Sequence, residues 1–69
     1  MTTTNNDRIP YTDSIRPTHY RQTHACVETV DGVDYFAGFY NARDAASVVR
    51  IRTLGGRNFR AERVINEHL

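Results

Sequence analysis

In the stretch "THACVET", Thr23 to Thr29, a histidine and a cysteine stand two residues apart. On a strand that spacing puts His24 and Cys26 on one face. An imidazole beside a thiol is the beginning of a nucleophile pair or of a metal site. His19 and His68 are the remaining imidazoles, and no second close pair completes a four-ligand zinc set. A thiol nucleophile also needs a positioned cleft, which a chain of 69 residues has little room to build. Strand histidines and a part-buried cysteine are the simpler reading. No catalytic residue, metal or cofactor is expected, and the chain is not expected to be an enzyme. The double glycine in "LGGRN" is a helix stop, since it lacks the length and the lysine of a phosphate-binding loop.

The other chemistry is aromatic and cationic. "YFAGFY", Tyr35 to Tyr40, carries aromatic residues at positions that alternate between both faces of a strand. All nine basic residues are arginine, whose planar fork suits carboxylates and phosphates; a GC-rich genome would produce the same bias. Phe36 and Tyr40, with Arg57, Arg60 and His24, are the candidate binding residues. Charge is uneven: residues 1–40 carry −2 and residues 41–69 carry +3, summing to +1. That balance excludes a binder driven by bulk positive charge and an acidic mimic of nucleic acid.

These residues need elements to hold them. Residues 1–17, with Pro10, Pro17 and a polar start, read as a flexible or extended arm in which Ile9, Tyr11 and Ile15 are spaced to cross a groove. Residues 18–69 read as one domain. Asp31-Gly32 between apolar runs marks a β-hairpin. A two-residue loop would pair Val27 with Phe36 and divide the apolar side chains between faces. A three-residue loop, Val30-Asp31-Gly32, pairs Val27 with Tyr35 and gathers Ala25, Val27, Val33, Tyr35, Ala37 and Phe39 on one face. One residue of slip exchanges the faces, so the second register is expected. Asn41 or Asp44 caps a helix whose stripe is Ala42, Ala45, Ala46, Val48 and Val49, with Ile51 at its edge, and Gly55-Gly56 ends it. "RNFRAERVINEH" then alternates as a strand, with Phe59, Ala61 and Ile65 on one face and Arg60, Glu62 and Val64 on the other. The expected fold is α+β: ββαβ, a three-stranded antiparallel sheet in the order 2-1-3 with one helix on one face. Phe59, Val27, Phe39 and Val48 are its expected core.

A single helix leaves the second face open, with Phe36 and Tyr40 on it, edged by Arg60 and Arg57. An exposed apolar cluster on a small protein marks contact with something. Three occupants fit: the arm folded back, a second copy making a homodimer, or another macromolecule. Nucleic acid is a narrower version of the last, because rings and guanidiniums stack bases and hold phosphates. The basic, glycine-interleaved aromatic signature of RNA-recognition sheets is not present.

One cysteine allows no internal disulfide, the first residues lack a signal-peptide pattern, and the longest apolar run is six residues. A cytoplasmic location away from membranes is the expectation. A chain this short buries only about 60% of its unfolded surface, and a total stability of roughly 3–10 kcal/mol follows.

"FYNARDAASVVRIRTLGGRNFRAERV", Phe39 to Val64, resembles a pattern of small phage and mobile-element proteins. An "A-x-D-A" helix start, a glycine stop and an "F-x-A/V-x-R-V" strand follow a hairpin in them. The resemblance, to the anti-CRISPR and anti-defence type, covers about the last 40 residues. It implies a phage-encoded protein that binds and blocks a host protein or ribonucleoprotein without catalysis. That class shares no site motif, so no functional residue carries over. The alternatives are a small nucleic-acid-binding regulator and a structural homo-oligomer component.

Overall fold

The computed structural model describes residues 9–12 and 14–66. The elements are β1 (Ile9–Pro10), β2 (His24–Val30), β3 (Val33–Tyr40), α1 (Ala42–Leu54) and β4 (Phe59–Arg63). The sheet is antiparallel in the order β1-β3-β2-β4. The expected α+β class and the order of its three strands agree with this. The sheet has four strands where three were expected, because Ile9–Pro10 pairs along the free edge of β3. Pro10 suits such a place, since an edge strand can spare one N–H from the ladder.

The hairpin register corrects the expected one. Val27 lies opposite Phe36 and Thr29 opposite Asp34, so the loop is the two-residue Asp31-Gly32 turn. Asp31 at φ 53° and Gly32 at φ 81° give the left-handed pair that such a turn requires. Further along, Ala25 pairs with Phe39: one residue of β2, Cys26, faces two of β3, Ala37 and Gly38. This bulge is built on Gly38 at φ 120°.

The two features reassign faces by parity. The shorter turn flips all of β2, putting Cys26 and Glu28 toward the helix and Ala25 and Val27 away from it. The bulge flips only the end of β3. Tyr40 joins Tyr35 and Ala37 on the helix side, while Phe39 joins Phe36 on the other, their ring centroids 4.6 Å apart. The core under the helix is Cys26, Ala45 and Phe59, with Ala37, Tyr40, Val48 and Val49 packed on it. Phe59 and Val48 are where they were expected; Val27 and Phe39 belong to the opposite face.

The helix begins where Asn41 Oδ1 accepts from the Asp44 N–H at 2.8 Å. It ends with Gly56 at φ 88°, its N–H bonded to the Thr53 carbonyl, and the Arg57 N–H bonded to the Arg52 carbonyl. Ala45 is small enough for its carbonyl oxygen to lie 3.8 Å from Cys26 Sγ, which donates to it. Close approach of helix and sheet follows.

The second face is covered in part by the arm. Tyr11, Ile15 and Arg16 stand around one hollow with Glu62 and Val64. Pro17 is buried, and Ala25 and Val27 are 0% exposed. The segment after β4 is tied down where Asn66 Nδ2 donates to the carbonyls of His19 and Gln22, at 2.9 and 2.7 Å.

Candidate functional site

The helix packs chiefly over β2 and β4 and leaves the helix-side strip of β3 half-covered. A hollow of about 290 Å³ results, lined by Tyr35, Ala37, Tyr40, Val48, Arg52 and Arg57. Strand residues, aromatic rings and the Glu28 carboxylate line it together with two guanidiniums.

Glu28 is placed at the bottom of this hollow by the register, and is only 8% exposed. A carboxylate so placed needs a partner. Arg57 provides it through two parallel bonds, Nε to Oε2 at 2.8 Å and Nη2 to Oε1 at 2.7 Å. The helix stop aims this residue: the turn at Gly55-Gly56 brings the chain back over the sheet edge. The Arg57 guanidinium also lies 5.1 Å from the centre of the Phe59 ring. Hydrogen bonding to Glu28 is the first cause of its raised pKa, so it stays cationic. Arg52, one turn earlier, has no carboxylate paired with it among the described residues.

From the hollow an apolar line runs outward along the helix. Val48 lines the hollow, Ile51 is exposed, and Leu54 is 83% exposed, each three residues from the last. Ile51 and Leu54 turn progressively from the hollow toward the outer face of the helix, Leu54 lying half a revolution from the buried Ala45.

The sequence-predicted residues do not form one surface. Tyr40 and Arg57 meet in the hollow. Phe36 borders it at the strand edge, but its ring packs on Phe39 across the sheet. Arg60 lies on that opposite face, bonded to Asp34 at 2.9 Å and to Glu62 at 2.6 Å. Thr29 Oγ1 donates to Asp34 at 2.6 Å and completes the group. Asp34 is held below the usual carboxylate range, first by its bond from Arg60 and then by Thr29. His24 stands at the far end of β2, its Nδ1 2.9 Å from Thr23 Oγ1. The expected open face bearing both Phe36 and Tyr40 is therefore corrected: the bulge at Gly38 separates the two rings.

Tyr35 and Ile51 were expected on the apolar faces of sheet and helix and not as contact residues, and Arg52 and Leu54 were not singled out by sequence. Exposed aliphatics at the helix end are the one signal that could have found them. His24 and Cys26 share a face, yet Cys26 is buried and burial raises its thiol pKa, the opposite of what a nucleophile needs. His68 lies outside the described residues. Among those residues, no three His, Cys, Asp or Glu side chains converge, and no helix is long and apolar enough to cross a membrane. Compared with protein-family models, curated proteins and solved structures, the chain matches none.

Proposed function

We propose that this chain is a small binding protein that acts by contact, without catalysis, on a host protein or ribonucleoprotein. Its contact surface is the hollow beside β3 with the line Val48, Ile51 and Leu54. One observation carries the reading: Tyr35, Tyr40 and Arg52 stand around an open hollow beside the helix, on which Ile51 and Leu54 are exposed. Tyrosine and arginine dominate contact energetics, and exposed apolar side chains beside them exclude water from such contacts. A phage-encoded inhibitor of a bacterial defence complex is the particular form we propose, supported by the sequence pattern of residues 39–64.

The test is capture from bacterial lysate with tagged protein, wild type against a variant carrying Ile51→Asp, Arg52→Glu and Leu54→Asp. These side chains are outside the core, so melting should change little, by about 0.5 kcal/mol per substitution. Captured partner should fall at least about tenfold. Unchanged capture by a folded variant would remove the surface from consideration. Nuclease treatment and a salt series separate the nucleic-acid alternative, because phosphate contacts weaken steeply between about 50 and 200 mM salt.

A further inference from the structure

The outer edge of β4 has no strand beside it among the described residues. The phase of its backbone is set by two bonds to β2: the Thr29 N–H to the Asn58 carbonyl, and the Val64 N–H to the Thr23 carbonyl. In an antiparallel ladder such bonds recur at every second residue. Asn58, Arg60, Glu62 and Val64 thus turn their backbone groups toward β2. Phe59, Ala61 and Arg63 turn theirs outward.

We propose that a second copy of this chain pairs with that edge, β4 against β4, about a two-fold axis at Ala61. Outward groups must meet outward groups, which limits the register to steps of two. With Ala61 opposite Ala61 of the second copy, Phe59 faces Arg63, and Arg60 faces Glu62, twice over. Arg60 and Glu62 then occupy the pairs without mutual backbone bonds, where side chains are closest. Moving one step in either direction sets Arg60 against Arg60, or Glu62 against Glu62. The charges that repel an unmatched strand therefore select this one register for an identical chain. Both side chains are accessible for it, being 42% and 39% exposed while already bonded to each other.

The helices fit the same arrangement. Odd residues face odd residues, so both helices lie on one side of a continuous sheet. Strands lie about 4.8 Å apart, which sets two helices seated between β2 and β4 about 10 Å apart, at packing distance. Val48 and Arg52 line the hollow over β3. Helical phase accordingly puts Ala42, Ala46 and Val49 on the β4 side, where small residues permit such an approach.

Sedimentation of wild-type protein across a concentration series should show a monomer–dimer equilibrium. Ala61→Pro removes an outward N–H and none that β2 uses, so the fold should persist while the dissociation constant rises at least about tenfold. Arg60→Glu and Glu62→Arg should each be monomeric alone, since each faces like charge across the axis. Mixed, they should form a heterodimer, because every facing pair is then opposite in charge. A wild-type monomer at all concentrations would overturn the proposal. So would a dimer that a folded Ala61→Pro protein retains. Should Ala61→Pro not fold, the mixing experiment decides: failure to pair rejects this register.

Discussion

Asp34 shows how a single half-buried side chain ties three strands together. It accepts from Thr29 on β2 and Arg60 on β4 while sitting on β3. Because these bonds favour the carboxylate, its folded pKa is lowered. A lowered folded pKa contributes stability that is present above the unfolded value, about pH 4, and is lost as pH falls through the folded one. Asp34→Asn removes that contribution. The melting difference between wild type and Asp34→Asn should be largest near neutral pH and close as pH drops below about 4. A difference that stayed constant down to acid denaturation would show that the ion pair does not couple to folding. Arg60 remains protonated throughout, held up first by its bond to Asp34.

At the scale of the elements, Gly38 decides most. Its φ of 120° belongs to a region that L side chains rarely adopt, and a Cβ built there would meet the Tyr40 ring at 3.0 Å. The bulge it permits returns Tyr40 to the helix side, where it packs on Cys26, Ala45 and Phe59. Gly38→Ala should therefore cost about 1–3 kcal/mol from backbone strain, before any displacement of the Tyr40 ring. Urea denaturation monitored by circular dichroism measures it, and a neutral substitution would mean that the strand runs through this point without a bulge. Against roughly 3–10 kcal/mol of total stability, that loss is a large fraction.

At the scale of the whole molecule, the arm and the helix divide the sheet between them. The helix closes one face over Cys26 and Phe59. The arm adds β1 to the β3 edge, bonds the Tyr11 N–H to the Asp34 carbonyl at 3.0 Å, and buries Pro17. A chain beginning at Thr18 would expose the face holding Ala25 and Val27. Burial of Tyr11, Ile15 and Pro17 at about 1 kcal/mol each makes a loss of about 2–4 kcal/mol the expected outcome. Chemical denaturation of the truncated chain tests this directly. Unchanged stability would mean that the arm lies against the sheet without contributing to it.

Much of this architecture was legible from local signals. Asp31-Gly32 located the hairpin, Asn41 and the double glycine bounded the helix, and alternation from Phe59 marked the last strand. Each depends on a few neighbouring residues whose backbone preferences are intrinsic, and strand order followed from connection length and handedness. Which side chains share a face was not legible. That is a parity, reversed by one residue in the turn and again by one at the bulge, and both turns use the same Asp-Gly pair. Counting apolar residues favoured the longer loop, yet the tertiary structure chose the shorter. In that register Glu28 meets Arg57, and Asp34 meets both Thr29 and Arg60. The apolar side chains had no need to gather on a single face, because the arm carrying Ile9, Tyr11 and Ile15, one of the three occupants its spacing allowed, supplied a second cover over Ala25 and Val27.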